Sequence, residues 1–337
     1  MVKEVVTLEF IRGYRVGSLK TRLFVSTHTL LRALMSISSM TNPKVFNVIK
    51  DLKVFTTALL PLIRAKDCYK VVVPLNKYIS KVISNEPTYA TLKSLKTMLT
   101  KCSPCRDIVE FFRCVKELGE KEFNVVSSAK TVKPEYSVKI LTSKDEVGIV
   151  GDLLRTPLKH EKRVVNVIDR VSNAANPFVA SYVHTYNPLA LVIDIPEDVK
   201  DEFVGSLKLL GEVGLGGGRS RGFGRFKLCN DLKLCDDDRD YLLTTTKAID
   251  ITPNNYYVLL GSLPLHHSLD LMNSILDLHE FLGYLPPAEL VSQKYFIDLG
   301  SIVRFKDGVR VEDLALKLVS KGGQESISVF TSLVLGA

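Results

Sequence analysis

Residues 211–226 read GEVGLGGGRSRGFGRF, with seven glycines and three arginines in sixteen residues. A glycine inside a helix or strand destabilises that element by about 0.5–1 kcal/mol relative to alanine. Glycine is favoured where a backbone must turn sharply or approach another chain segment closely. The stretch therefore predicts a loop in which the backbone conformation matters and along which arginine side chains are placed.

Two nucleotide-binding glycine loops do not match this stretch. A dinucleotide fingerprint needs G-x-G-x-x-G, but Gly214 and Gly216 are followed by Arg219 at the position of the third glycine. A Walker A loop ends in G-K-[ST], whereas Gly222 is followed by Phe223. The loop is therefore not predicted to hold a nucleotide cofactor, and we expect no cofactor.

The segments around the loop indicate the fold. Residues 189–195, LALVIDI, have the apolar character of a buried strand, a helix is predicted through residue 213, and residues 223–229 predict another strand. Near the start of the chain, residues 3–10 alternate as a half-buried strand does, and Ser26 is placed to cap a helix that ends before Pro43. Strand, helix, loop and strand at 189–226 have the order of the second half of a βαββαβ unit, whose first half would be residues 3–40 and whatever strand pairs with them.

We therefore predict an α+β fold with two ferredoxin-like (RRM-like, βαββαβ) domains. The first comprises residues 1–235, with a large insertion at about 44–180 and the glycine-rich loop at 211–224. The second, smaller domain comprises residues 245–337, where residues 254–285 predict a strand followed by an amphipathic helix. Another amphipathic helix is predicted at 105–119.

Composition and charge limit the class of protein. The chain has 337 residues, a net charge of +8 and 46% hydrophobic residues, as expected for a basic globular protein. The charge favours a polyanionic partner, although a generally basic soluble protein has the same balance. No apolar run is long enough for a membrane span and no signal peptide opens the sequence, so we expect a cytoplasmic protein.

The position of the glycine loop determines how it could bind an anion. A helix C-terminus carries a partial negative charge, so the preceding helix does not favour phosphate through its dipole. We expect the loop amides to face outward as an anion-binding nest, with Arg219, Arg221 and Arg225 supplying charge and planar donors. The alternative is a long flexible connection between a helix and a strand.

Four segments carry a resemblance to a known family. Residues 210–226 resemble the glycine-rich loop of the RAMP superfamily of CRISPR-associated proteins. Within it, VVNVIDRVSNAANPF at 164–178, STHTLLRALMSI at 26–37 and KYFIDLGSIVRF at 294–305 resemble segments of the family of subunit four of the type III-A Csm effector complex, a Cas-five-type subunit. His28 stands where that family usually has aspartate, and residues 44–150 match no segment of it.

The resemblance implies a non-catalytic subunit that grips the 5′ handle of the CRISPR RNA. It also implies that this subunit bridges the large Cas-ten subunit to a backbone RAMP subunit. No metal site is expected in it. The RNA contacts that it implies in the glycine loop are Gly214, Gly216, Gly217, Gly218, Arg219, Ser220, Arg221 and Gly222. Arg225 belongs to the same basic run, and the turn after the first strand adds Arg12, Tyr14 and Arg15.

Residues 155–170 are a second basic segment. They contain Arg163 among several cations, and could be a thumb that contacts guide RNA or a solvated basic hairpin. Asp169 and Arg170 could form a local ion pair, and the resemblance favours a role for them in shaping the RNA-binding face.

An enzyme of the same superfamily is the alternative. Metal-independent endoribonucleases that process CRISPR precursor RNA use a histidine of the first helix, often with tyrosine and lysine. The corresponding candidates are His28, Tyr14 and Lys20. Those nucleases carry the glycine loop near the C-terminus, whereas more than a hundred residues follow it in this chain.

The remaining cysteine, aspartate and histidine clusters do not predict a metal centre. Cys102 and Cys105 form a CxxC near Cys114, without a second pair at zinc-ligand spacing, so we expect reduced thiols around a helix start. The run CDDDRD at 235–240 is predicted to be a solvated linker. On the predicted helix His267 and His279 are too far apart to share a metal, and with His266 they are expected in the core or on the surface.

Overall fold

The structure is a computed structural model that describes residues 1–17, 21–146, 154–168, 175–229, 231–247, 251–281, 284–285, 289–290, 294–306, 310–319 and 325–336. The α-helices are α1 (Thr27–Thr41), α2 (Pro43–Lys50), α3 (Lys77–Val82), α4 (Leu92–Cys102), α5 (Ile108–Lys121), α6 (Lys200–Val213) and α7 (Asp236–Thr245). None of the helices in these ranges is long and apolar enough to cross a membrane.

Strands make up the rest of the regular structure. In the first two thirds of the chain they are β1 (Val2–Phe10), β2 (Phe55–Thr56), β3 (Leu60–Arg64), β4 (Tyr69–Pro74), β5 (Tyr89–Thr91), β6 (Phe123–Ser127), β7 (Lys139–Ser143), β8 (Leu158–Ile168), β9 (Ala175–Thr185), β10 (Leu189–Ile195) and β11 (Phe226–Leu228). In the last third they are β12 (Thr246–Lys247), β13 (Tyr256–Leu259), β14 (Leu263–Pro264), β15 (Leu278–Phe281), β16 (Tyr284–Leu285), β17 (Glu289–Leu290), β18 (Lys294–Ile297), β19 (Ile302–Arg304), β20 (Ala315–Val319), β21 (Glu325–Val329) and β22 (Val334–Leu335). The fold is therefore mixed α+β, as predicted.

A large sheet carries the glycine loop at one edge. Its strand order is β11-β1-β10-β3-β4-β5-β7-β6, and β2 also pairs with β10. The first four strands are antiparallel, with α1 in the connection after β1 and α6 in the connection from β10 to β11. The strands predicted at 3–10 and 189–195 and the helix predicted after Ser26 are confirmed by these elements.

Apolar side chains hold α1 and α6 together on one face of this sheet. Leu30 and Leu34 of α1 share a buried cluster with Phe203 and Leu210 of α6. Each pair is four or seven residues apart, which places both members on the same helix face. Because α6 is fixed in this way, the point at which its C-terminus delivers the chain to the glycine loop is also fixed.

Residues 55–143 continue the same sheet. β3 pairs with β10, and β4, β5, β7 and β6 extend the sheet from there. The amphipathic helix predicted at 105–119 is present as α5, and its Phe111, Val115 and Leu118 are buried. A shared core cluster reaches from these residues to Tyr256 and Leu335 in the last third of the chain.

The prediction of an amphipathic helix within 254–285 is wrong. Ile275 and Ile302 exchange backbone hydrogen bonds, and β15 pairs with β18 in an antiparallel sheet, so this chain segment is extended. Within the described parts of 246–336 there are strands and short 3-10 helices but no α-helix. The apolar residues whose spacing suggested a helix lie in strands that are packed by tertiary contacts. The spacing of apolar residues alone does not distinguish such strands from a helix.

The prediction of a solvated linker at 235–240 is also wrong. Asp236, Asp237 and Asp238 form the first turn of α7, where negative charge is favoured by the helix dipole. Asp238 is fully buried, and its carboxylate accepts a 2.7 Å hydrogen bond from the backbone N–H of Val71 in β4. The aspartate run therefore ties α7 to the large sheet.

The structure corrects the expectation of reduced cysteines. Cys68 is joined to Cys235, and Cys102 is joined to Cys114. Tyr69 and Cys235 are held side by side by a 2.9 Å backbone hydrogen bond, which brings Cys68 to its partner. The partner of Cys102 is thus a residue of the next helix, and Cys105 of the CxxC keeps a free thiol.

Burial raises the pKa of Asp238 to about 7, with Lys70 opposing the shift and Glu146 and Asp237 adding to it. A folded-state pKa above the unfolded value means that folding takes up a proton between about pH 4 and 7. The contribution of the Asp238 carboxyl to the free energy of unfolding is therefore present below about pH 4 and is lost as pH rises from about 4 to 7. We expect Asp238→Asn to reduce the fall in the free energy of unfolding between about pH 5 and 8.

Urea unfolding across this pH range measures the effect. Asp240→Asn is the matched control, because Asp240 is an exposed carboxylate on the same helix. Equal pH slopes for Asp238→Asn and the wild-type protein would contradict the prediction.

Candidate nucleic-acid interface

The glycine loop folds into a compact structure between α6 and β11. The N–H of Leu215 donates to the carbonyl of Gly224 over 2.9 Å, which brings the two arms of the loop together. Between the arms, residues 219–221 form one 3-10 turn. Gly218 and Gly222 flank that turn with φ of 75° and 82°, a left-handed conformation that side chains disfavour.

Close backbone contacts fix this loop against the turn after β1. A Cβ on Gly216 would lie 2.3 Å from the carbonyl oxygen of Arg15, and one on Gly224 would lie 2.0 Å from that of Leu215. The N–H of Gly217 donates to Arg15 over 2.7 Å, and the N–H of Gly224 donates to Gly13 over 2.8 Å. Glycine is required at these points because there is no room for a side chain.

These hydrogen bonds correct part of the expected chemistry. The amides of Gly214, Leu215, Gly217, Gly222 and Gly224 donate to carbonyls of the protein itself. They are therefore not available as an outward-facing anion nest. The groups that the loop presents to solvent are mainly the exposed side chains of Arg219, Ser220, Arg221 and Arg225.

A basic depression lies on one side of the loop. It has a volume of about 650 Å³ and extends from Gly214, Gly216 and Gly217 to α1. Four arginines line it, and among its described lining residues none is acidic. These arginines are Arg15, Arg22, Arg32 and Arg219.

A second basic depression lies on the other side. Its volume is about 530 Å³, and Ser220 and Gly222 contribute to its wall. Its arginines are Arg12, Arg219, Arg221 and Arg225. Arg219 lines both depressions, so the loop forms a ridge between two arginine-lined surfaces.

Most of these arginines were predicted from the sequence, but Arg22 and Arg32 were missed. A signal for Arg32 was present, because it follows His28 by four residues and so lies on the same face of α1. Arg22 had no comparable signal. Its guanidinium lies 4.5 Å from the ring of Phe296, a residue far away in the sequence, and it donates to the carbonyl of Glu280 over 2.7 Å.

A β-hairpin formed by β8 and β9 rises beside the loop. Its strands pair from Leu158↔Thr185 to Ile168↔Ala175. The ring of Tyr182 lies 5.1 Å from that of Phe223, and the guanidinium of Arg221 lies 5.0 Å from the ring of Phe178. The exposed Arg163 lies on β8, whereas Asp169 and Arg170 lie outside the described residues.

Tyr14 does not belong to the contact surface predicted for it. Its side chain is fully buried, and its hydroxyl donates to the carbonyl of Leu23 over 2.6 Å. Burial raises the pKa of the Tyr14 phenol well above its ordinary value. The buried Tyr14 therefore holds the turn between Arg12 and Arg15 in place. Sequence patterns did not indicate this burial, because it depends on the pairing of Tyr14 with Val183 of the distant hairpin.

His28 is packed at the floor of the first depression. Its ring lies 4.8 Å from that of Phe330 and 4.6 Å from that of Phe296. Its Nδ1 lies 3.1 Å from the hydroxyl of Ser26 and 3.2 Å from that of Ser262. Burial, followed by the charges of Arg22 and Arg32, lowers the pKa of His28 well below its ordinary value.

The other histidines and acidic clusters form no metal centre among the described residues. His266 lies against Phe305 and is half-buried, and His279 lies on β15 with its Nε2 3.5 Å from the carboxylate of Asp298. Lys20, the third residue of the alternative catalytic set, lies outside the described residues.

A family model matches the part of the chain that contains this loop and hairpin. A model described as "RAMP superfamily" matches residues 68–227, a range that contains the hairpin, α6 and the glycine loop. This part of the chain is therefore similar to the RAMP superfamily. The resemblance predicted from the glycine loop is confirmed, whereas no protein of curated function matches the sequence.

Three solved structures are similar to this chain. A chain of "Crystal structure of Csm3-Csm4 subcomplex in the type III-A CRISPR-Cas interference complex" is 14% identical, with a TM-score of 0.54 over 100% of this chain and 99% of that chain. A chain of "Crystal structure of Csm1-Csm4 cassette in complex with pppApA" is 13% identical, with a TM-score of 0.45 over 100% and 98%. A chain of "Cryo-EM structure of the Type III-B Cmr-beta bound to cognate target RNA and AMPPnP, state 1" is 12% identical, with a TM-score of 0.46 over 89% and 86%. The first similarity shows a shared fold.

The close backbone contacts predict a strong and local dependence on glycine. We expect Gly224→Ala to lower the free energy of unfolding by more than about 2 kcal/mol, because the new Cβ meets a backbone carbonyl at a positive φ. Gly205→Ala in α6 is the matched control, since no atom lies within 4 Å of its added Cβ. The control should stabilise the protein by about 0.5–1 kcal/mol, because alanine is the better helix former.

Denaturant unfolding of the two variants measures both changes. A Gly224→Ala protein as stable as the wild type would show that the loop does not depend on this backbone contact.

Proposed function

We propose that this protein is an RNA-binding structural subunit of a type III CRISPR effector complex in the cytoplasm, and that it holds the 5′ handle of the guide RNA. The observation that carries the proposal is the ridge of the glycine loop, with Arg219 between two arginine-lined depressions. In the complex it bridges the large Cas-ten subunit to a backbone RAMP subunit.

The charge of the two depressions matches an RNA backbone. Phosphates succeed one another along a strand, so a surface that binds RNA must place several cations within reach of one another. Arginine suits this purpose because its planar guanidinium can donate two hydrogen bonds to one phosphate. The arginines on both sides of the ridge would therefore let a strand cross over the loop, with Arg219 at the crossing point.

The rigidity of the loop supports a role in setting register. Seven amides between Gly214 and Gly224 donate to backbone carbonyls of the protein, so the backbone of this segment has little freedom. Arginines attached to a fixed backbone bind an anion with a smaller loss of conformational entropy. We infer that the loop fixes the position of the handle and thereby the register of the guide.

The fold supports the same assignment. The match to a chain of the Csm3-Csm4 structure extends over nearly the whole of both chains. The strand order β11-β1-β10-β3, with α1 and α6 in the connections, agrees with a ferredoxin-like unit. We propose this unit as the core of a first domain at 1–235, followed by a smaller domain at 245–337.

We infer that the subunit is not a nuclease. A general base must reach the 2′-hydroxyl whose proton it takes. His28 is 5% exposed, is stacked on Phe330 and has its pKa lowered by burial, and Tyr14 is fully buried. Their surroundings fit packing roles better than proton transfer.

The arginine ridge predicts a charge-dependent affinity for RNA. Arg219→Ala with Arg221→Ala should weaken binding of labelled CRISPR repeat RNA about tenfold or more, and should flatten the plot of log affinity against log salt by about 0.7 per lost phosphate contact. Arg64→Ala with Arg113→Ala removes the same charge from exposed positions outside both depressions. Fluorescence anisotropy at several salt concentrations measures both quantities, and equal losses in the two double variants would refute the ridge as the binding surface.

The packed state of His28 predicts that RNA stays intact. Wild-type protein incubated in EDTA with end-labelled repeat RNA should retard the RNA on a native gel without cleaving it on a denaturing gel. Cleavage at one site that disappears in His28→Ala would instead establish the endoribonuclease alternative. A scrambled RNA of the same length is the control for handle recognition.

A further inference from the structure

A second kind of cavity adjoins the arginine-lined surface. It has a volume of about 580 Å³ and lies between residues 21–24, the end of β4, the base of the β-hairpin and residues 298–300. Arg22 lines both this cavity and the first basic depression, so the two spaces meet at its side chain. None of the residues assigned above to RNA phosphates lies in the rest of its wall.

The lining of this cavity differs in charge from the depressions. Asp277, Glu280 and Asp298 contribute carboxylates, against Arg22 as the permanent cation among its described lining residues. Apolar side chains form much of the remaining wall, among them Phe24, Leu75 and Leu299. A phosphate group would be repelled here, whereas a flat apolar group with hydrogen-bond donors at its edge would be accommodated.

The polar groups of the cavity are held in place. Asp298 is 4% exposed, accepts a 2.9 Å hydrogen bond from the N–H of Leu299, and lies 3.5 Å from Nε2 of His279. Arg22 is fixed by the ring of Phe296 and by the carbonyl of Glu280. A fixed carboxylate and a fixed guanidinium beside apolar walls are typical of sites in which a few polar groups orient a mostly apolar ligand.

We propose that this cavity binds one nucleobase that carries an exocyclic amino group, from the same strand whose phosphates meet the arginines. The inference rests on the proposed function, because it requires RNA to cross the glycine-loop ridge. Arg22 would then mark the point where the strand turns its backbone toward the basic depression and its base toward the carboxylates.

Hydrogen-bond chemistry determines which bases fit. A carboxylate accepts hydrogen bonds and donates none, so it pairs with the amino groups of adenine, cytosine and guanine. Uracil presents carbonyl oxygens at the corresponding position, and two acceptors facing each other in a desolvated space are unfavourable. Apolar side chains against the base faces would add stacking energy without distinguishing among the amino-bearing bases.

Binding of short RNA homopolymers tests the proposal. Fluorescein-labelled adenosine, cytidine and uridine oligomers of about eight nucleotides would be titrated into the full chain, a length within the range bound by single-strand binding domains. We expect adenosine and cytidine oligomers to bind about tenfold more tightly than uridine oligomers, the effect of one discriminating hydrogen-bonded contact. Leu75→Trp, which fills the cavity, should bring all three affinities to one value.

Substitution of the carboxylates provides a second, independent measurement. Asp277→Asn and Asp298→Asn replace an acceptor by an amide that can also donate, so each should narrow the preference or reverse it toward uridine. Asp201→Asn on α6 is the control of equal charge change at an exposed position outside the cavity, and should leave the wild-type order of affinities.

The outcomes separate this inference from the proposed function. Salt-dependent binding that is lost in Arg219→Ala with Arg221→Ala, but that shows no base preference or keeps its preference in Leu75→Trp, would overturn the nucleobase cavity alone. Absence of binding by any oligomer would overturn both proposals. A preference for amino-bearing bases that disappears in Leu75→Trp and changes in the asparagine variants would establish the cavity.

Discussion

The backbone contact between the glycine loop and the turn after β1 is the constraint on which the rest of the surface depends. Gly216 lies against the carbonyl of Arg15, and Gly224 lies between Leu215 and Gly13, at distances that exclude any side chain. This contact joins the turn after β1 to the loop before β11, the edge strand that pairs with β1. It also sets the separation of the arginines, because those on both segments are attached to backbones that touch.

The concentration of so many arginines on one surface is electrostatically unfavourable. Like charges at short range repel, and the described lining of the two depressions contains no carboxylate, although Asp298 acts on Arg22 from the adjoining cavity. The aromatic rings of Phe178 and Phe296 lie under two of these guanidinium groups, and such contacts stabilise a cation without neutralising it. The arginines can therefore be concentrated while their charge stays available to a polyanion.

Residues of the last third of the chain pack against the buried side of this surface. Phe296 and Phe330 enclose His28, and a Cβ on Gly261 would lie 2.1 Å from the hydroxyl of Thr27 at the start of α1. The start of α1 is consequently buried against strands that follow it by more than two hundred residues. This packing explains why His28 is buried between Phe296 and Phe330, and why Arg22 faces two different cavities.

The sequence by itself determined the local features of this protein. Glycine spacing, apolar period and capping residues indicated β1, α1, β10, α6 and the loop, because those signals come from backbone sterics and from burial of one face. The tertiary structure alone decided where distant segments meet. These arrangements depend on partners far along the chain: Tyr14 pairs with Val183, Cys68 is joined to Cys235, Asp238 accepts from Val71, and Arg22 lies over the ring of Phe296. A sequence pattern reports the preference of a residue for its neighbours, whereas these arrangements arise from the packing of the whole core.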